Sequence, residues 1–340
     1  MAAKSKKWNK KRTLAAGVIA LVASAISLGC GRFAISPLDV IRVLFPSIFD
    51  QSAISDTVRH VVLFVRIPRI LGALLCGAGL AVAGAGFQAV FSNPLATPDT
   101  LGVGNAASFG AVFAILLGAA RTGIQTSALL FGLISLGLVY LFSGRGSEQK
   151  TLRLVLSGMI VGAFFSSMVS FVKYVADPQD ELPSITYWLL GSLKNMSWPL
   201  LLSGAGWILI GIMILVLLRW KLDALMLSEE EVRSFGISVH KLHFLSIFAS
   251  SVITASVVSM CGQIGWIGLL IPHFCRMLYG GSNRNVIPAS IAYGAIFLLL
   301  IDTVARCITA SEIPVAILTS LIGAPLFLLL LMKTGAIYET

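Results

Sequence analysis

The protein has 340 residues and a formal net charge of +10, and 57% of its residues are hydrophobic whereas only 12% are charged. Its mean hydropathy is +0.91. Soluble domains carry about 25% charged residues, so this composition excludes a soluble fold and predicts a membrane protein. The positive charge does not indicate a nucleic-acid partner, because much of it precedes the first apolar run.

The first 13 residues form a basic segment in front of that run. A signal peptide also begins with a basic segment, but residues 14–28 lack a convincing small-residue cleavage site. We therefore predict that residues 1–13 are a cytoplasmic N-terminus that obeys the positive-inside rule. Its basic residues are Lys4, Lys6, Lys7, Lys10, Lys11 and Arg12.

Apolar runs separated by polar or Gly/Pro clusters predict about ten membrane-spanning helices, since they are too long for barrel strands. With the N-terminus inside, an even number of spans places the C-terminus inside as well, and most of the 25 Lys and Arg residues then lie in cytoplasmic segments. The glycine- and alanine-rich stretch 72–86 predicts close helix packing. The predicted spans are 14–33, 69–91, 99–119, 123–143, 152–175, 198–219, 241–261, 263–280, 286–307 and 314–333.

Arg59, Arg66 and Arg69 lie close together before the second span, on the predicted outer side. This cationic rim is either a solvated or headgroup-facing loop or a surface on which an acidic extracytoplasmic partner docks, and residue chemistry leaves both interpretations open. Asp302 and Arg306 lie one helical turn apart near the outer end of the ninth span. We interpret them as an i, i+4 ion pair, which weakens the alternative of an ion-coupled secondary carrier without removing it.

Residues 92–104, SNPLATPDTLGVG, interrupt the apolar pattern between the second and third spans. Two prolines and an aspartate are unsuited to a lipid-facing helix. This segment is therefore predicted to turn at the cytoplasmic face or to line a cavity.

The largest predicted cytoplasmic loop contains DALMLSEEEVRSFGI. Ser228 and Glu231 have the spacing of a capping box, and Gly236 is placed to end a helix. Val232 and Phe235 are expected on one helical face. We predict a short helix of about two turns across the cytoplasmic surface, which is either a plain interfacial helix or a partner-docking element.

Motifs that would give the chain its own catalysis are absent from the sequence. It contains no G-x-x-x-x-G-K-[ST] loop, no H-E-x-x-H helix and no G-x-S-x-G elbow. The five cysteines form no C-x-x-C pair and the four histidines are scattered, so the cysteines are interpreted as packing residues and no metal site is predicted. An intramembrane enzyme would need a reactive pair that the sequence does not offer.

Several ordered motifs run over nearly the whole chain. They include VRIPR at 65–69, NPLATPD at 93–99 and GQIGWIGLLIPHFCR at 262–276. They resemble the R-x-P-R, N-P-L-A-x-P and G-x-I-G-F-[VI]-G-L-x-x-P-H-x-x-R patterns of FecCD/BtuC-like permeases of type II ABC importers. Gln263 stands where proline is common, and Trp266 where phenylalanine is common. Further matches lie at 188–193, 228–236, 312–315 and 321–325.

The resemblance implies an all-α polytopic membrane protein with about ten transmembrane helices, the type II ABC importer permease fold, in one domain over residues 1–340. In this family two permease subunits, identical or paralogous, form the pathway, two ATPase subunits bind ATP and Mg, and an extracytoplasmic substrate-binding protein docks outside. The chain itself is expected to be non-catalytic, without a cofactor, in the bacterial cytoplasmic (inner) membrane. Ferric siderophore is the expected cargo, and haem, cobalamin and an oxyanion such as molybdate are the alternatives.

The family's binding-protein docking arginines correspond to Arg66, Arg69 and Arg306. Its cytoplasmic gate corresponds to the turn 93–96, and the segment 223–237 matches its coupling helices. A further family signature is expected to support the ATPase-facing end, at Pro272, His273 and Arg276. The gate residues are Asn93, Pro94, Leu95 and Ala96, and the coupling residues are Ser228, Glu229, Glu230, Glu231, Val232, Arg233, Phe235 and Gly236.

Overall fold

A computed structural model of the protein describes residues 8, 10–31, 33–49, 54–144, 150–227, 229–309 and 311–338, and its regular structure within these ranges is helical. The first half of the chain forms α1 Lys10–Gly29, α2 Pro37–Leu44, α3 Asp56–His60, α4 Ile67–Val90, α5 Val103–Leu116, α6 Arg121–Ser143 and α7 Lys150–Val175. The second half forms α8 Glu181–Leu189, α9 Trp198–Leu222, α10 Glu229–Ser234, α11 Val239–Cys261, α12 Ile267–Tyr279, α13 Asn283–Ile308 and α14 Val315–Tyr338.

Ten apolar helices account for the predicted spans. Among the described residues, 8 helices are long and apolar enough to cross a membrane. Two shorter apolar helices, α5 and α12, coincide with the third and eighth predicted spans. The predicted all-helical polytopic fold is therefore confirmed. The basic residues Lys4, Lys6 and Lys7 of the predicted N-terminal anchor lie outside the described residues.

The second and third predicted spans differ from the observed helices at their boundaries. The second span is part of a continuous 35-residue helical stretch, Asp56–Val90, in which Val61–Arg66 is a π-helical turn. Pro68 explains the widened turn, because it lacks an N–H and its ring clashes with the carbonyl four residues earlier. The third span is shortened because Pro98–Leu101 forms a 3₁₀ turn and Gly102 adopts a φ of 69°.

The centre of the bundle is the helix pair α4 and α13, which cross at a glycine of each helix, Gly77 and Gly294. A Cβ on Gly77 would overlap the carbonyl oxygen of Gly294, and a Cβ on Gly294 would overlap that of Gly77. Further along α4, a Cβ on Gly84 would overlap the carbonyl oxygen of Gly268 in α12. Small residues thus bring the backbones into contact, and the close packing predicted for residues 72–86 is confirmed.

Burial separates central from peripheral helices. The apolar windows of α4 and α11 are 83% buried, whereas those of α1, α9 and α14 are 17%, 28% and 28% buried. The peripheral helices therefore present apolar side chains such as Leu21, Leu217 and Leu328 at the surface, as expected for segments that face lipid or a partner subunit.

Two short helices that stand apart from the spans in the described part of the chain, α2 and α8, were not predicted. In α2, the hydroxyl of Ser36 accepts a hydrogen bond from the backbone N–H of Leu38, and Pro37 occupies the first helical position. Val40 and Val43 form its buried side. The other short helix is α8, which begins at Glu181 after the loop that follows α7.

Candidate functional site

The three arginines predicted to dock a partner belong to one buried cluster at the N-terminal end of α4. Arg69 binds two carboxylates. Its Nε lies 3.1 and 3.0 Å from the oxygens of Asp302, and its Nη2 lies 2.9 Å from Asp302 Oδ1. Its Nη1 lies 3.0 Å from Glu312 Oε2. We call Arg66, Arg69, Asp302, Arg306 and Glu312 the Arg69 cluster.

The other two arginines of the Arg69 cluster contact the end of α1 and the segment after it. Arg306 Nη2 donates to the carbonyl oxygen of Ser27 at 2.6 Å and also to the Ser27 hydroxyl, and its Nε lies 4.0 Å from Asp302 Oδ2. Arg66 donates to the carbonyl oxygens of Leu28 and Phe33. The Arg69 cluster therefore joins α1, the π-helical turn, α4, α13 and the link to α14.

The expectation of an exposed cationic rim is wrong for Arg66 and Arg69, which are only 4% and 5% exposed, and Arg306 beside them is 4% exposed. Two carboxylates at the same site offset two of their three positive charges, and the carbonyls of Leu28, Phe33 and Ser27 accept hydrogen bonds from Arg66 and Arg306. The predicted Asp302–Arg306 pair is present, but Asp302 binds Arg69 more closely. Docking of a binding protein at these arginines stays a prediction.

A second, half-buried arginine lies at the opposite end of α4. Arg276, near the C-terminus of α12, donates from Nε to Gln88 Oε1 at 3.3 Å, from Nη1 to the carbonyl of Gly281 at 2.9 Å and from Nη2 to Asn283 Oδ1 at 3.1 Å. Gln88 Nε2 lies 3.4 Å from the carbonyl of Leu269. One guanidinium thus connects α4, α12 and the start of α13.

Asp223 connects this site to the segment predicted to couple to an ATPase. It is the first residue of the 3₁₀ turn Asp223–Met226 that follows α9. Its carboxylate accepts from the hydroxyl of Ser282 at 2.6 Å and from the backbone N–H of Asn283 at 2.5 Å, so it caps the positive end of α13. We call Gln88, Asp223, Arg276, Ser282 and Asn283 the Arg276 cluster.

The predicted family signature is only partly in contact with the Arg276 cluster. Pro272 lies inside α12. His273 is 8% exposed, its ring centroid is 5.3 Å from that of Phe327, and its Nε2 has no hydrogen-bond partner among the described residues. Of the three signature residues, Arg276 therefore makes the polar connections.

The predicted coupling helix is present as α10, and it ends as the sequence predicts. Gly236 has a φ of 73°. Its N–H donates to the carbonyl of Arg233 at 2.9 Å, and the N–H of Ile237 donates to the carbonyl of Val232 at 3.3 Å, which is a Schellman motif. Ser228 lies outside the described residues, so the predicted capping box stays a prediction. The backbone of Glu229 begins α10, and the other acidic side chains there, Glu230 and Glu231, are exposed.

The expectation that Val232 and Phe235 share one face is wrong. Val232 is 1% exposed and packs inward, whereas Phe235 is 68% exposed. Phe235 follows Ser234, the last residue of α10, and lies in the closing turn with its ring at the surface. Phe235 is therefore the most exposed large apolar side chain in the described part of this segment.

The predicted turn at 93–96 lies beside the Arg276 cluster. The N–H of Asn93 donates to the carbonyl of Gln88 at 3.2 Å, and Asn93 Oδ1 accepts from the N–H of Leu95 at 2.9 Å. Leu95 is 54% exposed, and Ala96 is 5% exposed. Pro94 is exposed in the turn. The turn itself is confirmed, and its role as a gate stays a prediction.

Sequence reasoning missed Gln88, Asn283 and Ser27 as partners of these arginines. One signal was available for Gln88, because a polar side chain inside an apolar Gly/Ala-rich span requires a partner. For Asn283 and Ser27 the sequence carries no comparable signal, since both lie where polar residues are ordinary.

Comparison with known proteins places the chain in a family. The model of the FecCD transport family matches residues 19–333. The molybdate import system permease protein MolB of Haemophilus influenzae is 41% identical over 93% of this chain and 94% of its own length. A probable iron chelatin transport system permease protein of Helicobacter pylori is 39% identical over 82% of this chain and 84% of its own length.

A solved structure of a putative metal-chelate type ABC transporter in an inward-facing conformation superposes with a TM-score of 0.86. The two sequences are 39% identical, and the superposition covers 96% of this chain and 100% of the chain in the solved structure. The ordered motifs, the ten apolar helices and these matches agree over the same residues. The chain belongs to the FecCD transport family and is a multi-pass permease subunit with the type II ABC importer fold.

Proposed function

We propose that this protein forms one half of the translocation pathway of an ATP-driven importer, together with a second permease subunit. The observation that carries the proposal is the family match over residues 19–333. Two partner ATPase subunits would bind ATP and Mg, and this chain would enclose the pathway without forming a covalent intermediate. The N- and C-termini would be cytoplasmic, in agreement with the basic N-terminal segment.

The cargo is proposed to be a metal oxyanion or a metal chelate. Molybdate is supported by the relative that is 41% identical over 93% of this chain. Ferric siderophore, the cargo expected from the sequence motifs, is supported by relatives such as the Helicobacter pylori protein, at 39% identity over 82% of the chain. We rank molybdate first because its relative is more similar over a larger share of the chain.

A substrate-binding protein is proposed to dock at the end of the bundle that carries the Arg69 cluster. Arg66 is the best of its three arginines for pairing with a partner carboxylate. Its guanidinium contacts two backbone carbonyls, and within the described part of the chain it pairs with no acidic side chain. Arg69 and Arg306 would instead hold α1, α4 and α13 in the arrangement that the partner recognises.

Coupling is proposed to run through the Arg276 cluster. Closure of the ATPase dimer would displace α10 through the exposed Phe235. Asp223 would pass that displacement to the start of α13, and Arg276 and Gln88 would pass it to the turn at 93–96. The steps from Asp223 to the turn at 93–96 follow hydrogen bonds of 2.5 to 3.3 Å.

The proposal is tested by reconstituting the permease in liposomes with its ATPase and its binding protein. We expect uptake of radioactive molybdate or ⁵⁵Fe-siderophore that depends on ATP and stops with an ATPase variant unable to hydrolyse it. The two cargoes are compared in one preparation, so the ratio of their uptake rates ranks them directly. Uptake driven by an ion gradient without the ATPase would contradict the proposal and support a secondary carrier.

The docking proposal is tested in the same preparation with Arg66→Glu. We expect weaker association of the binding protein at unchanged basal ATP hydrolysis. Arg42→Glu is the matched control, because Arg42 is also in a predicted outer segment and is paired with Asp39 at 3.2 Å. Equal association by wild type and Arg66→Glu would contradict a docking role for Arg66.

A further inference from the structure

Two breaks in the helical pattern meet inside the bundle. One is the 3₁₀ turn Pro98–Leu101, which precedes α5, and the other is the segment 262–266, which separates α11 from α12. A Cβ on Gly268 would lie 2.8 Å from the ring of Pro98 and 3.0 Å from the carbonyl oxygen of Leu80. The first break therefore packs on the start of α12 and on the middle of α4.

This contact lies near the middle of the membrane-spanning bundle. Leu80 is eight residues from Gln88 along α4, and Gly268 is eight residues from Arg276 along α12. Since a helix rises about 1.5 Å per residue, both spacings place the contact about 12 Å from the Arg276 cluster. Leu80 is also eleven residues from Arg69, which corresponds to about 16 Å. The contact is therefore near mid-depth in a bilayer whose hydrocarbon core is about 30 Å thick.

Asp99 places a carboxylate at this depth. The residue is exposed in the single subunit, although the turn that carries it is packed between helices. Pro98 lies against α12, and the carbonyl oxygen of Thr100 lies against Gly158 of α7. Contact between an ionised carboxylate and lipid is costly at mid-depth, and irregular backbone in a membrane is either buried in protein or lines a water-filled cavity. The exposed side of Asp99 therefore faces the interior of the assembled transporter rather than lipid.

Gln263, in the second break, holds this carboxylate in place. Its side chain forms a hydrogen bond with Asp99. A Cβ on Gly104 of α5 would overlap Asp99 Oδ1 and would lie 3.6 Å from Gln263 Nε2, so both groups lie over the same glycine. Proline, the residue common at position 263 of the family pattern, has no side-chain donor and could not form this bond. Among the described residues no basic side chain pairs with Asp99, so no cation there balances its negative charge.

We propose that Asp99 contacts the cargo in the pathway and selects against anionic cargo, with Gln263 as its positioning residue. The inference rests on the proposed function, because it needs a pathway that runs past Asp99. A carboxylate accepts hydrogen bonds from the N–H and O–H groups of a neutral or cationic metal chelate, and it repels a doubly charged oxyanion such as molybdate. The local charge thus favours the chelate of the two proposed cargoes, by a criterion that is independent of overall sequence similarity.

The test is the maximal rate of uptake by the reconstituted transporter, measured for molybdate and for a cationic ferric trihydroxamate. We expect Asp99→Asn to raise the ratio of molybdate to chelate uptake about tenfold, the size expected from removing one charge about 5 Å from a dianion in water. The concentration of binding protein that gives half-maximal uptake should not change. Asp177→Asn is the matched control, because Asp177 is exposed in the loop before α8 and its Oδ1 accepts two backbone hydrogen bonds that asparagine can keep. It should alter the ratio less than twofold.

Two variants at Gln263 separate the charge of Asp99 from its structural role. Gln263→Lys places a cation beside the carboxylate and should also raise the ratio, so it serves if Asp99→Asn does not assemble. Gln263→Leu removes the hydrogen bond but keeps the charge, and it should leave the ratio within twofold of wild type. Equal effects of Gln263→Leu and Asp99→Asn would overturn the inference in favour of a structural contact.

An unchanged ratio in both Asp99→Asn and Gln263→Lys would overturn the inference as well. ATP-dependent uptake of either cargo by wild type would still support the proposed function in that case. If wild type showed no ATP-dependent uptake of either cargo, the proposed function would be contradicted, and the inference with it.

Discussion

The two arginine clusters, one buried and one half-buried, lie at opposite ends of the α4–α13 pair and depend on different chemistry. Arg69 binds the carboxylates of Asp302 and Glu312 at 2.9 to 3.1 Å. Arg276 binds neutral oxygens, those of Gln88, Gly281 and Asn283, at 2.9 to 3.3 Å. In the first cluster carboxylates bind the arginine directly, whereas in the second the arginine's hydrogen bonds go to neutral oxygens and the carboxylate of Asp223 caps α13.

This difference indicates which end of the pair can move. Separating a buried ion pair leaves uncompensated charges on both sides, which costs several kcal/mol, whereas exchanging one amide or carbonyl acceptor for another costs far less. The Arg69 cluster is therefore expected to stay intact during transport. The Arg276 cluster, which joins the coupling segment to the turn at 93–96, is expected to rearrange, because a coupled transition needs contacts that differ between its two states.

The largest effect is expected from breaking the charge-matched cluster. Arg69→Met leaves Asp302 and Glu312 without their main partner and should lower the free energy of unfolding by about 3–5 kcal/mol. The measurement is thermal or denaturant unfolding in detergent. Arg42→Met is the control, because the Arg42–Asp39 pair is about one third exposed and should contribute at most about 1 kcal/mol.

A double variant separates charge matching from packing. Arg69→Met combined with Asp302→Leu replaces the pair by apolar side chains and should recover part of the lost stability. If Arg69→Met were as stable as wild type, the contrast between the two clusters would be contradicted.

The crossing between the two clusters is expected to give the next largest effect. Gly77→Val would force the backbones of α4 and α13 apart, because even a Cβ overlaps the carbonyl of Gly294. The loss should be about 1–3 kcal/mol or more. Gly206→Ala in α9 is the control, because no atom lies within 4 Å of a Cβ placed there, and it should be neutral or stabilising by up to about 1 kcal/mol. Equal unfolding midpoints for both variants would contradict the close crossing.

A smaller effect on stability is expected at the Arg276 cluster, with a larger effect on coupling. Arg276→Lys keeps the charge but cannot reach three acceptors in different directions, so it should lose about 1–2 kcal/mol. ATP hydrolysis by the assembled transporter should then respond less to the loaded binding protein. If the loaded binding protein stimulated ATP hydrolysis by the Arg276→Lys transporter as strongly as by wild type, a role of Arg276 in coupling would be contradicted.

The ten spans could be predicted from the sequence because each depends on a local apolar run, and the packing of residues 72–86 could be predicted because small residues are visible locally. The partners of the arginines could not. Asp302 is 233 positions from Arg69 and Gln88 is 188 positions from Arg276, and no local pattern records such pairs. Arg66 and Arg69 were therefore interpreted as exposed, although both are buried, Arg69 against carboxylates and Arg66 against backbone carbonyls from distant parts of the chain.

The smallest effect on stability is expected at Phe235, for which the face predicted from helical spacing was wrong. Phe235→Ala removes a ring that is 68% exposed and should change the free energy of unfolding by less than about 0.5 kcal/mol. Val232→Ala, at a residue 1% exposed, should cost about 1–2 kcal/mol. Co-purification of the ATPase subunits should show the reverse order, with Phe235→Ala the more damaging. If Phe235→Ala retained the ATPase as wild type does, the contact would have to lie on the exposed charges of α10, because Val232 is not accessible to a partner.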